Sequence, residues 1–354
     1  MKYVIVGNYG AQNLGDEMIL EGLLEMLKKA DNSADICVLK GNEKFPAGIK
    51  SGIKWIFGGN KNTKEKVKNC DYFILGGGGL FGSLSQYANI IWGLQAMYAY
   101  QNKKPVLMLG QSVGKIKNKY VQKFVKNLFN KSDLISVRDE KSKENLREIG
   151  VTKKIVVVPD LAFARENKAE NQMPSKDVII ALRQMKDLSQ SFKIQIARFV
   201  RWLKEEEKMN VKFVNFQTGP VDNDEILHDE IKKMIGDDSI ENLSPQSTQE
   251  VIRLFKNANF AICMRLHSII TAMQAHTPFV AINYSEKVRN LMDYMGAKEN
   301  LLEMQNVSFE TLKNFYKKTA GSEETKQKLQ HLKQNSFRKI EEFIALYLQK
   351  LPKK

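Results

Sequence analysis

The N-terminal stretch YVIVGNYGAQNLGDEMILEGLLEML, residues 3–27, decides the fold of this chain. It begins with four apolar residues, Tyr3–Val6, and continues through a glycine-containing loop. It ends in Met18–Leu27, where apolar residues recur every three to four positions. This pattern is typical of a buried β-strand followed by an amphipathic helix. The apolar run is too short for the core of a signal peptide, so we interpret it as the first strand of a domain.

The same alternation of strand and helix patterns continues along the chain. Further short apolar runs in the first half are Ile36–Leu39, Tyr72–Leu75, Val106–Leu109, Leu134–Val137 and Ile155–Val158. Alternating strand and helix signals indicate βαβ units. Such units build a parallel sheet that helices cover on both faces, which is why the strands are apolar throughout.

A polar stretch, Ala164–Lys176, interrupts the pattern, and the alternation resumes from Val178–Leu182 to Phe279–Asn283. Helical patterns in this second half cover Ile194–Lys208, Asp224–Ile235, Gln249–Lys256 and Ser268–Ala275. The sequence therefore predicts an α/β protein with two domains, residues 1–165 and 175–320, each built on a parallel sheet and joined by this polar stretch. A length of 354 residues agrees with two domains. We expect ligands beyond the carboxyl ends of the strands.

The last segment, residues 321–354, has an apolar stripe at helical spacing and many basic residues. It predicts a basic amphipathic helix that packs back on the protein. Binding of this helix to a membrane surface is the alternative.

Composition limits the class of protein. The chain has 55 Lys and Arg against 40 Asp and Glu, a formal excess of +15, and 43% apolar residues. This apolar content favours a soluble globular protein over a disordered one. The positive excess is compatible with nucleic acid, an anionic membrane surface or acidic small substrates as partners, and a solvated lysine-rich surface would produce it as well.

Cysteine content and hydropathy indicate the compartment. Cys37, Cys70 and Cys263 are widely spaced and form no CxxC pair, which argues against a disulfide scaffold and a structural zinc site. No apolar segment has the length of a membrane span. We therefore expect a cytoplasmic protein without a metal site, and peripheral contact with the inner face of the membrane stays open.

The loop Gly7–Glu17 lies between the first strand and the first helix, where phosphate-binding loops are found. The spacing of Gly10 and Gly15 matches a P-loop, but Asp16 replaces the required lysine, which disfavours a nucleoside triphosphate. We interpret Gly10, Asn13 and Gly15 as substrate-binding and Asp16 as a residue that binds a hydroxyl. A turn followed by a helix N-cap explains the same residues equally well.

Two more glycine segments follow predicted strands. The run Gly76–Gly79 costs chain entropy, which favours a close approach of another group to its backbone. The segment Gly110–Gly114 lacks the P-loop spacing. From these two segments we predict Gly77, Gly78 and Gln111 as substrate-binding residues.

Basic residues also follow predicted strands. Arg265 and His267 come directly after Phe260–Cys263 and begin an apolar helix. A guanidinium, an imidazole and a helix N-terminus can together bind an anion and supply a proton, although a buried histidine that caps the helix is the alternative. Arg138, Arg183 and Lys287 also follow strands, and we predict a cationic cleft. His228 and His331 lie in polar helical stretches, and we expect solvent to surround them.

These motifs resemble the polysaccharide pyruvyl transferase family in their order along the chain. The segments that carry the resemblance are Gly15–Glu17, Gly76–Gly79, Gly110–Gly114, Ser136–Asp139, Asp160–Phe163 and Met264–His267, followed by Tyr284 and Lys287. Cys263, His276 and Ser285-Glu286 stand where the family more often has other residues. The resemblance covers roughly residues 3 to 300 and leaves out the last fifty.

The resemblance implies a GT-B-like fold, in which two Rossmann-like domains with parallel sheets face a central cleft. It also implies transfer of the pyruvyl group of phosphoenolpyruvate to a sugar as a cyclic ketal, in the synthesis of cell-wall or surface polysaccharide. It implies His267 as a catalytic residue and Arg265 and Lys287 as donor-binding residues. We add Arg183 on the donor side, Arg138 among the substrate-binding residues, and Asp16 as a catalytic residue that orients or deprotonates the acceptor. The implied partners are phosphoenolpyruvate and a saccharide acceptor, which is lipid-linked or not. No cofactor is expected.

Two other classes stay open. A GT-B glycosyltransferase that uses a nucleotide sugar would have the same two domains and a basic pocket. A sugar-binding relative that has lost catalysis would also have them. Nucleic-acid binding has the least support, because basic and aromatic residues are not interleaved in any segment.

Overall fold

The computed structural model describes residues 1–39, 61–82, 86–165, 175–219 and 222–352. The chain forms two compact units. Unit 1 consists of residues 1–11, 16–165 and 336–354, and unit 2 of residues 12–15 and 166–335. The division thus follows Arg165, at the start of the predicted linker, of which residues 166–174 lie outside the described residues.

Unit 1 is built on a parallel sheet. Its strands are β1 Lys2–Val6, β2 Asp35–Leu39, β3 Tyr72–Leu75, β4 Gly78–Phe81, β5 Val106–Val113, β6 Leu134–Val137 and β7 Val156–Val157. Its helices are α1 Leu14–Ala30, α2 Lys61–Asn69, α3 Gln86–Gln101, α4 Lys119–Lys131 and α5 Glu140–Glu148, and a 3-10 turn covers Leu161–Ala164. The strand order is β2-β1-β3-β5-β6-β7, with β4 paired to β5.

The central strands of unit 1, β1, β3 and β5, are apolar because helices and neighbouring strands bury them. All four residues of β3 are buried. Phe73 and Met108 from the sheet share one core cluster with Trp92 of α3 and Phe129 of α4. Burial of one such side chain stabilises the fold by about 1.5–3 kcal/mol.

Unit 2 is a second parallel sheet. Its strands are β8 Asp177–Ala181, β9 Asn210–Val214, β10 Glu241–Leu243, β11 Ala258–Cys263, β12 Phe279–Asn283 and β13 Leu301–Glu303. Its helices are α6 Gln190–Glu205, α7 Asp224–Ile235, α8 Thr248–Lys256, α9 Leu266–Ala275, α10 Glu286–Met295 and α11 Phe309–Thr319. The order β10-β9-β8-β11-β12-β13 is that of a doubly wound Rossmann sheet.

Each sheet reverses its strand order at one point, between β1 and β3 in unit 1 and between β8 and β11 in unit 2. Doubly wound sheets bind ligands beyond the carboxyl ends of the strands at such a point. The loop after β1 and the glycine run after β3 lie at this place in unit 1. Arg183 and Arg265, which follow β8 and β11, lie at the corresponding place in unit 2.

The structure corrects the prediction for two glycine segments. Gly110–Val113 is the end of β5, and Gly78 begins β4, which pairs with Gln111 of β5. These segments were expected to be loops after strands. Gly110 has φ +64°, a conformation that favours glycine and accompanies a register shift between β5 and β6. The backbone therefore continues as a strand through residues whose composition indicated a loop.

The C-terminal helix α12, Glu323–Phe343, ends in a π turn, Ile344–Leu348. Ile340, Phe343 and Leu348 are buried within unit 1. The helix thus buries its apolar face on the protein, as predicted. No described helix is both long and apolar enough to cross a membrane.

We predict that Gly22→Ala destabilises unit 1, although alanine is normally the better helix residue. Gly22 lies in α1 against the 3-10 turn, and a Cβ there would stand 1.8 Å from the backbone oxygen of Leu161. Relief of this overlap requires a backbone shift, so we expect a loss of about 1–3 kcal/mol in the free energy of unfolding in urea. Lys28→Ala, at an exposed position of the same helix, is the control and should change it by less than about 0.5 kcal/mol. An unchanged or higher stability of Gly22→Ala would contradict the prediction.

Candidate functional site

Arg265 follows β11 and is the N-cap residue of α9. Two carboxylates hold its guanidinium. Nη1 and Nη2 donate to Asp222 Oδ2 and Oδ1 at 3.0 and 2.7 Å. Nε and Nη2 donate to Asp224 Oδ2 and Oδ1 at 3.0 and 2.5 Å. Paired hydrogen bonds of this kind fix the plane of a guanidinium as well as its position.

Asp224 is fully buried at the start of α7. Besides Arg265, its carboxylate accepts hydrogen bonds from the backbone N–H groups of Gln184, Phe216 and Gln217 at 3.3, 3.2 and 3.1 Å. Burial raises the pKa of this carboxyl, and the Arg265 guanidinium opposes the shift. Asp224 therefore connects the segments that follow β8, β9 and β11.

The Arg265 guanidinium stays charged in this environment. Burial by itself lowers its pKa, but Asp224 and Asp222 together outweigh that effect and raise it above the usual value. Arg265 is only 9% exposed, so the charge of this side chain is held among fixed partners.

Arg183, two residues beyond β8, shares the Asp222 carboxylate with Arg265. Its Nη2 donates to Asp222 Oδ2 at 3.2 Å, and its Nη1 donates to the Tyr284 hydroxyl at 3.0 Å. The guanidinium also lies over the Tyr284 ring, 5.0 Å from the centroid. Within the described part of the chain, the buried Nε of Arg183 has no hydrogen-bond acceptor.

The arginines of the predicted cationic cleft are paired with carboxylates, which the prediction did not include. Arg183 and Arg265 are balanced by Asp222 and Asp224. In unit 1, Arg138 donates from Nη1 to Asp160 Oδ2 at 3.1 Å and lies 3.8 Å from a carboxylate oxygen of Asp139. Each buried arginine has acidic neighbours, because an unpaired buried charge would be costly.

Asp222 and Asp224 are site residues that the sequence motifs do not predict. The available signal in the sequence is a pair of acidic residues, two positions apart, that follow β9 and stand where the helix predicted from residue 224 begins. Since β9 is the neighbour of β8, this position lies at the same edge of the sheet as Arg183.

His267 is the second residue of α9 and is half-buried. Gly15 packs so closely on its ring that a Cβ on Gly15 would stand 2.0 Å from Nδ1. The neighbouring Asn13 accepts a hydrogen bond from the Gly15 N–H at 2.9 Å and forms an antiparallel bridge with Gln217. The structure thus brings three predicted site residues together in unit 2: Asn13, Gly15 and His267.

Lys287 is the second residue of α10, after β12, and is half-buried. Because β11 and β12 are adjacent, α9 and α10 begin at the same edge of the sheet. Both helices begin without a side-chain cap, at Arg265 and Ser285. Helix N-termini carry partial positive charge, so this edge keeps an attraction for anions although its arginines are paired.

In unit 1, two carboxylates at the start of α1 hold the loop that follows β1. Asp16 Oδ2 accepts a hydrogen bond from Asn8 Nδ2 at 2.7 Å, and Glu17 Oε1 accepts one from the Gly10 N–H at 2.6 Å. Gly78 faces Asp16, since a Cβ there would stand 3.5 Å from Asp16 Oδ1. Gly10, Asp16 and Gly78 therefore share the place where the sheet of unit 1 reverses its strand order.

Close contacts with other residues of unit 1 explain why two positions of the glycine run, Gly76 and Gly77, have no side chain. A Cβ on Gly76 would stand 2.0 Å from the hydroxyl oxygen of the buried Tyr9. A Cβ on Gly77 would stand 2.9 Å from Ile19 and 3.1 Å from the backbone oxygen of Gly110. At these two positions glycine is required by protein contacts, and the substrate-binding role of Gly77 stays a prediction.

Gln111 is fully buried in β5. Its Nε2 donates to the backbone oxygens of Leu75 and Gly76 at 2.8 and 2.6 Å, which ties the start of the glycine run to the sheet. Arg138, paired with acidic residues after β6, is also buried. Gln111 pairs with Gly78 in the sheet, and Arg138 follows the next strand, β6. The substrate contacts of both side chains stay predictions.

His228 was expected to be solvated, and that prediction is wrong. Its ring is fully buried, accepts a hydrogen bond at Nε2 from the Leu182 N–H at 3.0 Å, and has Nδ1 2.5 Å from Asn215 Oδ1. This pattern assigns the proton to Nδ1 of a neutral ring. Burial lowers its pKa to about 3.

We predict that His228 makes the protein less stable in mild acid. Its folded-state pKa of about 3 lies below the ordinary value of 6.5, so the unfolded chain binds the proton first. The contribution of the neutral His228 ring to the free energy of unfolding is present above pH 6.5 and is lost as the pH decreases toward 3. At pH 5 the loss is about 2 kcal/mol. Urea unfolding at pH 7 and pH 5 measures it, and His228→Gln should lack this part of the loss. His331→Gln, at an exposed histidine, is the control. Equal losses in wild type and His228→Gln would contradict the prediction.

We predict that Gly15→Ala destabilises unit 2 only while His267 is present. The new Cβ overlaps the imidazole, so we expect a loss of about 1–3 kcal/mol in the free energy of unfolding. In the His267→Ala background the overlap is gone, and the same change should cost almost nothing. A double-mutant cycle by urea unfolding measures this coupling. Equal losses in the two backgrounds would show that the close packing does not exist in solution.

Comparisons with known proteins identify the family. The family described as polysaccharide pyruvyl transferase matches residues 13–286. This chain therefore belongs to the polysaccharide pyruvyl transferase family. The amylovoran biosynthesis protein AmsJ of Erwinia amylovora is 23% identical to it, over 87% of this chain and 89% of that protein. These two findings indicate a transferase with a role in polysaccharide synthesis.

Solved structures with the same fold confirm the predicted fold class. The UDP-GlcNAc 2-epimerase of Neisseria meningitidis, bound to UDP-GlcNAc, matches with a TM-score of 0.59 and 12% identity over 98% of this chain and 100% of that one. The UDP-GlcNAc 2-epimerase of Methanocaldococcus jannaschii has a TM-score of 0.59 and 14% identity, over 91% and 94%. Two Rossmann-like domains with parallel sheets, of the GT-B type, are therefore established.

The described residues include no group of three or more His, Cys, Asp and Glu arranged to hold a metal ion. The absence of a metal and of a cofactor in the reaction stays a prediction.

Proposed function

We propose that this chain transfers the pyruvyl group of phosphoenolpyruvate to a saccharide and closes it as a cyclic ketal. The observation that carries the proposal is the family match over residues 13–286, which includes Arg265 and His267 where the sheet of unit 2 reverses its strand order. That position supports a role in ligand binding for both residues.

The groups of unit 2 suit the charges of the donor. Phosphoenolpyruvate carries a carboxylate and a phosphate, and planar guanidinium groups bind either anion through paired hydrogen bonds. Arg183 and Arg265 both donate to one carboxylate, that of Asp222. This arrangement supports a site that fits one carboxylate or phosphate group. Lys287 and the N-termini of α9 and α10 would add positive charge at the same edge of the sheet.

The proposed reaction begins with protonation of the methylene carbon of the donor. The electrons of the double bond form the new C–H bond and leave C2 as an oxocarbenium-like centre. One sugar hydroxyl forms a C–O bond to C2 and loses its proton. A second hydroxyl of the same saccharide forms another C–O bond as the bond to phosphate breaks, and its proton leaves with inorganic phosphate. The products are the ketal and inorganic phosphate.

His267 is the group we propose for proton transfer in this reaction, a role that typically contributes roughly 10²–10⁴-fold to the rate. Its position beside Gly15 in the first turn of α9 supports a fixed ring orientation. Asp16 of unit 1 would orient or deprotonate a hydroxyl of the acceptor. Its hydrogen bond with Asn8 supports this role because it holds one carboxylate oxygen in place.

A second candidate function is transfer of a sugar from a nucleotide sugar. It is favoured by the fold, because the Neisseria meningitidis epimerase of the same fold is bound to UDP-GlcNAc. Thermal-shift measurements with phosphoenolpyruvate and with UDP-GlcNAc separate the two. Stabilisation by phosphoenolpyruvate supports pyruvyl transfer, and stabilisation by UDP-GlcNAc alone would favour the second candidate.

We predict that His267→Ala lowers phosphate release from phosphoenolpyruvate at least 100-fold, because proton transfer is lost. The assay uses hexose and N-acetylhexosamine saccharides, free and lipid-linked, with mass spectrometry of the ketal product. His331→Ala, which removes an exposed imidazole, should keep wild-type turnover. Wild-type turnover by His267→Ala would remove His267 from the mechanism. Phosphate release without a ketal would contradict the proposed function.

A further inference from the structure

The Asp222 carboxylate lies between two guanidinium groups. Its Oδ1 and Oδ2 accept two hydrogen bonds along one edge of Arg265, and Oδ2 accepts a third from Arg183 at 3.2 Å. This edge is the one along which a guanidinium pairs with a carboxylate or phosphate oxygens. The other edge, with Nε, is occupied by Asp224. A substrate anion can therefore pair with Arg265 in this way only by replacing Asp222 or Asp224.

The two aspartates differ in how firmly they are held. Asp224 is fully buried and accepts three backbone hydrogen bonds besides those from Arg265. The Asp222 side chain is 24% exposed, and its hydrogen bonds in the described part of the chain go to the two arginines. Removal of Asp224 would leave buried donors without a partner, which is costly. Asp222 can exchange its arginine contacts for contacts with water.

We propose that Asp222 is an internal competitor that fills the anion site of Arg183 and Arg265 and is displaced when the donor binds. Asp224 stays in place and holds Arg265 in position. The proposal rests on the proposed function for the identity of the donor, and on the geometry of the four side chains for the site itself.

This arrangement makes Asp222 a specificity-determining residue. An anion that enters must replace a carboxylate already paired with two arginines, so a single carboxylate gains little. A phosphate with two charges offers more oxygens and a larger charge to the same donors. The site therefore selects phosphate-bearing ligands over simple carboxylates such as pyruvate.

The test is calorimetric measurement of the dissociation constants of phosphoenolpyruvate, inorganic phosphate and pyruvate. Asp222→Asn keeps the size of the side chain and removes the competing charge. We expect it to bind phosphate and phosphoenolpyruvate roughly tenfold more tightly than wild type, because hydrogen bonds to a charged competitor no longer have to be broken. Measurable binding of pyruvate should appear in this variant.

Two further variants separate competition from a structural role. Asp238→Asn removes an exposed carboxylate beyond the end of α7 and should leave all three constants unchanged. Asp224→Asn should bind the anions more weakly than wild type, since Arg265 loses its fixed partner. If Asp222 only held Arg265 in place, Asp222→Asn would weaken binding in the same way as Asp224→Asn.

The outcomes distinguish this proposal from the proposed function. If Asp222→Asn binds phosphate more tightly but neither wild type nor any variant binds phosphoenolpyruvate, the result supports Asp222 as an internal competitor. It also contradicts phosphoenolpyruvate as the donor. If Asp222→Asn binds phosphoenolpyruvate as tightly as wild type or more weakly, Asp222 is not a competitor. Phosphoenolpyruvate as the donor is then unaffected. Failure of both anions to bind the folded Asp222→Asn variant also overturns the competitor. Circular dichroism checks folding, and Asp222→Ser replaces Asp222→Asn if the latter does not fold.

Discussion

The carboxylate of Asp224 is the group on which the arrangement of unit 2 depends. It accepts hydrogen bonds from the backbone after β8 and after β9 and from the Arg265 side chain after β11. These strands lie side by side in the order β9-β8-β11, so one buried carboxylate joins three consecutive strand ends. A side chain with fewer than two acceptor oxygens could not do this. The cost of burying its charge is offset by Arg265 and by the three backbone donors.

Unit 1 also contains a buried arginine that is paired with carboxylates after a strand. After β6, Arg138 is buried beside Asp160 and Asp139. In both units a strand-end arginine is paired with a carboxylate from a different segment of the chain. Such side chains keep their orientation without a ligand, which reduces the ordering that a ligand would have to impose. The positive charge of the whole chain is therefore a poor guide to the charge of these places.

The sequence was informative where the structure depends on local rules. Tyr72–Leu75 and Asp224–Ile235 have the predicted bounds, because a doubly covered strand is apolar at every position and because α7 begins at the N-cap Asn223 and ends at Gly236 in the left-handed region. Two three-residue strands at the edges of unit 2, Glu241–Leu243 and Leu301–Glu303, were missed. Such short segments form strands because they pair with a neighbouring strand. Three residues are too few to show a strand pattern in the sequence.

The same distinction applies to the candidate site. Arg265 and His267 were found because they lie in one turn after one strand. The carboxylate Asp224 lies 41 residues before its partner Arg265, and nothing in the spacing of the sequence connects the two. Likewise His228 was misjudged, because its polar neighbours in sequence face away while its own ring points into the core. Pairing over long separations is decided by packing, which a single sequence does not reveal.

The membership of residues 12–15 in unit 2 has a consequence for biogenesis. These residues are synthesised more than two hundred residues before their partners Gln217 and His267. At synthesis rates of about 5–20 residues per second, the N-terminal segment waits at least ten seconds or so for them. Residues 166–335 are therefore incomplete without this earlier segment, and a fragment that begins after the linker would lack part of the surface of unit 2.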